Sequence, residues 1–311
     1  MPKVDRQIWR DGEFVDWADA TVHVLAQSLQ RGSLAFDYMS VHDTAKGPAV
    51  MKLTEHIARL FTTCRLIGIP IRYAEEDLVE ACIATVVQNP GAHSLKISAL
   101  IPSIEVELVP QDPTVSVFIA AYDSTTDIID HHAGEYHFAR RLSLKIEHTI
   151  SNRRVDIIPP QVKVAANYTS GMFAKWRARR EGFDDILLLD DQNFVAESTT
   201  SNIFALIDGV LVTPPESRVL HGVTRASVLE LAPALDIPVE ERDITVKELL
   251  RADEIFLTAT SVGVWPVVKI DDQEFCGGEV GPVTQRLRKK HQRIARGEDP
   301  EFDHWLTYCT S

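Results

Sequence analysis

Between residues 122 and 135 the hydrophobic pattern of the chain lapses, replaced by Asp-Ser-Thr-Thr-Asp and then His131-His132-Ala-Gly. Such a stretch has no apolar face to bury, so it reads as a join between folding units. In a chain of 311 residues it separates a small N-terminal α+β domain (1–122) from a larger C-terminal domain (136–311), with 123–135 as the interdomain linker. Two domains of that size have ample material for sizeable cores.

The N-terminal part mixes both periodicities. Residues 8–15 surround Asp11-Gly12, a pair suited to the positive φ of a hairpin turn. A helix is expected from Thr54, because Ile57, Leu60, Phe61 and Cys64 recur at i, i+3, i+4 and i+7. A second helix, about 76–88, stops before Asn89-Pro90-Gly91. Residues 95–108 and 114–121 read as strands, split by Pro110-Gln-Asp-Pro113. After the linker, short β-type runs (186–189, 202–207, 210–213, 254–258) alternate with helical stretches (225–235, 246–251, 283–295). The last helix carries an Arg-Leu-Arg-Lys-Lys run, read as a solvated face.

Composition excludes several functions. The formal net charge of −13 disfavours nucleic acid and anionic membranes, which require a basic surface. No apolar run approaches a membrane span, and the first residues carry no signal-type apolar stretch, so a cytoplasmic protein is expected. The four cysteines lack Cys-x-x-Cys spacing and the eleven histidines form no His-Glu-x-x-His, so neither a disulfide framework nor a metal site is expected.

Four stretches carry chemistry. Lys163 stands in the almost uncharged Val162-Lys-Val-Ala-Ala-Asn-Tyr168. Apolar walls destabilise an ammonium and release a nucleophilic amine, although a lysine there can also extend its charge to water. Glu197 precedes the hydroxyl-rich Ser-Thr-Thr-Ser, a setting for a polar ligand or simply a solvated turn. Gly222-Val223-Thr224-Arg225 opens a helix with Val228, Leu231, Ala232 and Leu235 on one side. Free amides and the dipole make such a start an anion site, with Thr224 equally placed as an N-cap. A second turn, Thr260-Ser261-Val262-Gly263, would complete the cradle, and Arg59 is either a solvent-facing charge or a bidentate phosphate clamp.

These stretches together resemble the class IV, branched-chain-type aminotransferases, of pyridoxal 5′-phosphate (PLP) fold type IV, through nearly the whole chain. The resemblance rests on Lys163-x-x-x-Asn-Tyr168, Ala196-Glu197-x4-Asn202-Ile-Phe with Asp208-Gly-Val-Leu-x-Thr-Pro-Pro215, Leu220-x-Gly-Val-Thr-Arg225, Ala252-Asp-Glu-Ile-Phe256, and Lys46-Gly-Pro with Glu55-His-x-x-Arg-Leu60. It implies that Lys163 is the catalytic Schiff-base lysine and proton carrier. Tyr168 would hold the cofactor's phenolic oxygen and Glu197 its pyridinium. Arg59, Thr224 with the amides of Val223 and Thr224, and Thr260 would hold its phosphate. The implied partners are a small-molecule amino donor and a 2-oxo acid acceptor, in a homodimer or larger homo-oligomer.

The resemblance weakens at the substrate pocket. Where branched-chain enzymes carry a Tyr-x-Arg pair this chain has Lys96-Ile97-Ser98, and Arg31 with Phe36-Asp37-Tyr38-Met39-Ser40 is more similar to (R)-amine and D-amino-acid transaminases. Ser261 and Val262 replace part of the family's Gly-Thr-Ala-Ala turn. A branched-chain amino donor is the nominal expectation. The alternatives are an (R)-amine or D-amino-acid transaminase, an aminodeoxychorismate-lyase-like enzyme, and a non-catalytic PLP-binding protein. Arg31 is the expected carboxylate handle, ahead of Lys96 and the turn amides, because its planar fork matches a carboxylate. The competing reading pairs Arg31 with a surface acid such as Asp37.

Overall fold

The structure, a computed structural model, describes residues 4–131 and 139–310. It divides into two compact units, the first formed by Met1–His137, Lys163–Ala166 and Arg293–Ser311, the second by Phe138–Val162 and Asn167–Gln292.

The first unit contains β1 (Gln7–Arg10), β2 (Glu13–Asp16), α1 (Gln27–Arg31), β3 (Ala35–Thr44), β4 (Gly47–Met51), α2 (Leu53–Ile67), α3 (Glu75–Gln88), β5 (Ser94–Leu100) and β6 (Ser116–Tyr122). With the C-terminal strand Leu306–Tyr308 they make a seven-stranded sheet ordered C-terminal strand, β4, β3, β5, β6, β1, β2. Asp11 and Gly12 turn the β1–β2 hairpin at positive φ (49° and 103°), as the Asp-Gly pair predicts. Side chains alternate across the central strands, as the two-residue period of a strand requires. Met39, Val41, Leu95, Ile97, Val117 and Ile119 enter a core shared with Leu53, Ile57, Leu60 and Cys64 of α2 and Leu78 and Cys82 of α3. Burying each Leu or Ile there contributes roughly 1.5–3 kcal/mol. The opposite row presents Phe36, Tyr38, Lys96 and Ser98, with Phe36 facing Ser98 and Tyr38 facing Lys96 in register.

The second unit contains β7 (Leu142–Glu147), α4 (Thr169–Arg180), β8 (Asp185–Leu189), β9 (Val195–Ser198), β10 (Asn202–Ile207), β11 (Val210–Thr213), α5 (Val223–Ala234), β12 (Val239–Glu241), α6 (Val246–Leu249), β13 (Glu254–Ala259), β14 (Gly263–Ile270), β15 (Gln273–Glu274) and, up to Gln292, α7 (Pro282–Ala295). Its sheet runs β12, β11, β10, β13, β14, β7, β8, β9, and β9 meets β10 again, so the last six close into a ring. Leu144, Leu187, Val195, Ile203, Leu257 and Val267 belong to its core. The ring closes at a single polar pair, Glu197 opposite Asn202. No helix among the described residues is long and apolar enough to cross a membrane.

Several expectations need correction. Lys163–Ala166 and Arg293–Ser311 belong to the first unit, not to a continuous C-terminal domain spanning 136–311. The reasons are contacts between segments distant in the chain: Phe36 N–H donates to Lys163 O (3.1 Å), Val164 bridges Ala35, and Leu306–Tyr308 adds a strand to β4. Within the expected linker, Ser124–Ile128 and Ile129–His131 form short helical turns, the first capped by Asp123, and residues 132–135 lie outside the described residues. The strand expected over 95–108 ends at Leu100, where Pro102 removes a ladder donor and the carbonyls of Ile101 and Ser103 accept from Ser28 and Gln27 instead.

Candidate active site

In the first unit, Phe36 of β3 stands beside two lysines. Lys163 Nζ lies 5.0 Å from the Phe36 ring centroid, and Lys96 Nζ lies 5.2 Å from the same ring. The backbone N–H of Lys163 donates to Thr63 Oγ1 of α2 at 3.1 Å. One helical turn earlier, Arg59 grips Asp37 with two bonds, Nε to Oδ2 at 2.8 Å and Nη2 to Oδ1 at 2.7 Å. His56 Nδ1 also lies 2.7 Å from Asp37 Oδ1. Asp37 is fully buried, so the reading that paired it with Arg31 as a surface acid is incorrect. Burial opposes ionisation of Asp37, but the Arg59 and His56 contacts outweigh it and hold the carboxyl well below its usual range. Burial likewise lowers the pKa of His56, so its ring is neutral and donates to Asp37.

Tyr38, Lys96 and Ser98 share the sheet row of Phe36. Tyr38 directs its hydroxyl to Ser94 Oγ at 2.9 Å, and Ser94 Oγ lies 2.9 Å from Ser124 Oγ. Ser98 is half-buried opposite Phe36, while Arg31 is exposed at the C-terminal end of α1.

In the second unit the ring's polar seam supplies a carboxylate. Glu197 is buried, and its Oε2 accepts from Asn202 Nδ2 and from the Leu220 N–H, each at 3.3 Å. Oε1 is buried and accepts no hydrogen bond among the described residues, although Arg153 Nη1 stands 3.4 Å away. The Arg153 guanidinium in turn lies over the Tyr168 ring, 4.8 Å from its centroid. Asn202 ties Glu197 to the start of α5 through the Leu220 carbonyl (2.9 Å). Gly222 is the N-cap, not Thr224, and no side chain among the described residues caps the helix. Val223 and Thr224 therefore occupy the first helical positions, where amides have no intrahelical acceptor and favour an anion. Thr260, Ser261 and Val262 form the β13–β14 turn, closed by Val262 N–H to Ala259 O (3.2 Å), with Ser261 and Val262 exposed.

These residues fit PLP. A buried carboxylate oxygen that accepts no hydrogen bond among the described residues suits a protonated ring nitrogen. The open helix start suits a phosphate, and a lysine beside a ring suits an aldehyde. Sequence reasoning missed Asp37 and His56, which need the β3–α2 packing to be seen, and Arg153, whose neighbours carry no motif.

The comparisons agree with this chemistry. Residues 34–270 match the model of the amino-transferase class IV family. The branched-chain-amino-acid aminotransferase of Escherichia coli K12 is 32% identical over 303 residues, covering 96% of each chain. That of Pseudomonas aeruginosa is 32% identical over 99% of this chain and 98% of its own. Among solved structures, the branched-chain aminotransferase of Thermoproteus uzoniensis with norvaline has a TM-score of 0.89 at 30% identity, covering 98% of this chain and 99% of its own. The branched-chain amino acid aminotransferase of Thermobaculum terrenum in its PLP form has a TM-score of 0.88 at 27% identity, covering 99% of this chain and 100% of its own. A lysine-bearing unit and a unit pairing a buried glutamate with an open helix start are thus explained by one assignment: the chain belongs to the class IV aminotransferases and is a PLP-dependent transaminase of fold type IV.

Proposed function

We propose that this transaminase moves an amino group between an α-amino acid, nominally branched-chain, and a 2-oxo acid, with Lys163 as its catalytic residue. The observation that carries the site assignment is the buried Glu197 Oε1, which accepts no hydrogen bond among the described residues, on a carboxylate tied through Asn202 to the start of α5. When bound, PLP supplies an electron sink for charge developing at the substrate's α carbon. Glu197 keeps the ring nitrogen protonated, and Tyr168 holds the phenolic oxygen. The amides of Val223 and Thr224, the Thr224 and Thr260 hydroxyls and the Arg59 guanidinium hold the phosphate. Lys163 anchors the cofactor and carries the proton to and from the α carbon.

The branched-chain donor is supported by the relatives, which carry that activity in their names. An (R)-amine or D-amino-acid donor is favoured by Arg31 and the Phe36-Asp37-Tyr38-Met39-Ser40 segment, while Lys96 and Ser98 depart from the usual branched-chain Tyr-x-Arg pair. A panel of L-, D- and (R)-amino donors, assayed with pyruvate and 2-oxoglutarate, decides between them. Hydride reduction followed by peptide mapping tests the lysine. A pyridoxyl group on any lysine other than Lys163 refutes the assignment.

A homodimer is part of the same reading. Leu25 and Leu29 are exposed beside Ile104, Val106, Leu108 and Val109, on segments joined by the Ala26–Ile104 bridge and by Gln27 to Leu108 O. An apolar patch of this kind suits a protein interface. Sedimentation equilibrium showing only monomer refutes it. A cytoplasmic location is supported by four free cysteines.

A further inference from the structure

We propose that Asp37 and His56 are positioning residues for the cofactor's phosphate, acting through Arg59. The inference rests on the reading of Arg59 as a phosphate clamp and explains how that clamp is aimed.

Asp37 interrupts an otherwise apolar row. Ala35, Met39 and Val41, its nearest neighbours on the same side of β3, are buried hydrophobics, with the exposed Asp43 only at the far end of the strand, and Asp37 itself is 0% exposed. An ionised carboxylate in such a row is unfavourable unless every lone pair is used. Here four donors serve the two oxygens: Oδ2 accepts from Arg59 Nε (2.8 Å), and Oδ1 lies 2.7 Å from Arg59 Nη2, His56 Nδ1 and the Tyr38 amide. One edge of the guanidinium is thereby committed to the carboxylate in a planar fork, which removes its freedom to rotate.

The same two elements also carry the lysine. His56, Arg59 and Thr63 follow one another at i, i+3 and i+7 on α2, and Thr63 Oγ1 accepts the Lys163 N–H (3.1 Å). Phe36, next to Asp37 on β3, donates its amide to Lys163 O (3.1 Å). The guanidinium and the lysine's peptide are held from one strand and one helix, so locking Arg59 onto β3 sets the two in register.

Charge counting makes the proposal sharp. Asp37 cancels the charge of Arg59, and His56 is neutral, so the cluster offers no net cation. If Arg59 acted only as a point charge, removing the Asp37 charge would strengthen anion binding. If orientation governs, the same change weakens it.

The test is the affinity of the enzyme for PLP and for pyridoxal, which lacks the phosphate, read from cofactor absorbance at dialysis equilibrium. Asp37→Asn is expected to lower PLP affinity by about 10- to 100-fold, the loss typical of a charge-assisted bond. Pyridoxal affinity is expected to stay within about twofold, and Asp37→Glu to recover most of the loss. Unchanged or tighter PLP binding by Asp37→Asn overturns the proposal, as does an equal loss for both ligands, which marks a merely structural role. If Asp37→Asn does not fold, His56→Gln decides, with an expected PLP-selective loss of about three- to tenfold and refutation by an unselective one. Arg59→Gln separates the underlying reading. Unchanged PLP affinity there refutes the phosphate clamp itself, whereas a loss there without one in Asp37→Asn refutes only the positioning role.

Discussion

Gly222→Ala is the most direct probe of how the second unit assembles its site. The glycine has φ −66°, which any residue tolerates, so the backbone raises no objection. The obstacle is contact. A Cβ on residue 222 would lie 2.0 Å from Asn202 Oδ1 and 3.2 Å from its Cγ. Asn202 is buried and short, and its amide donates to Leu220 O at 2.9 Å and Glu197 Oε2 at 3.3 Å, so it has to leave both partners to make room. Losing a neutral bond costs about 0.5–1.5 kcal/mol, and losing a bond to a carboxylate costs about 1.5–3 kcal/mol, with the longer 3.3 Å contact at the low end. The smaller unfolded-state entropy of alanine returns roughly 0.4–1 kcal/mol. The net expectation is a destabilisation of about 1–2.5 kcal/mol, read as a lower urea midpoint at unchanged slope. In an Asn202→Ala background the same substitution should cost less than about 0.5 kcal/mol, because the clashing atom is gone. A Gly222→Ala protein as stable as the parent, or an equal penalty in both backgrounds, refutes the reasoning.

Glu197→Gln should depress turnover far more than PLP affinity, since the amide leaves the ring nitrogen without its anionic partner. A visible spectrum and a rate unchanged from the parent refute that role. Arg31→Ala should damage turnover of amino acids and 2-oxo acids by roughly 30-fold or more while sparing an amine that lacks a carboxylate. Equal loss for both donor types, in parallel steady-state assays, points to a structural residue. Acid stability provides a further check. Asp37 is held below its usual carboxylate range, so its contribution is complete above the unfolded value of about 3.9 and is lost as pH falls through the folded one. Urea midpoints should therefore fall as pH drops below about 4, and Asp37→Asn should show a shallower fall. Identical pH slopes for the two proteins contradict this assignment.

How much of this was legible beforehand depends on the range of the interaction involved. The Asp11-Gly12 hairpin, the apolar stripe of α2 and the β10–β11 hairpin follow from contacts between near neighbours, and periodicity and turn chemistry report those directly. The candidate cofactor residues Lys163, Glu197 and Thr224 stand in local patterns that mark them before any fold is known. Tertiary structure alone placed the Lys163–Ala166 segment with the N-terminal unit, because its pairing partners, Ala35 and Phe36, lie more than a hundred residues earlier in the chain. It alone enclosed Asp37 between His56 and Arg59, since a carboxylate beside Phe36 looks solvent-facing until the register of β3 against α2 turns it inward. Arg153 and Glu197, tens of residues apart in the chain, are likewise brought together only in the folded unit. Local propensity depends on a few adjacent residues, whereas burial and charge pairing depend on which distant segments pack together, and that is decided only when the whole chain has folded.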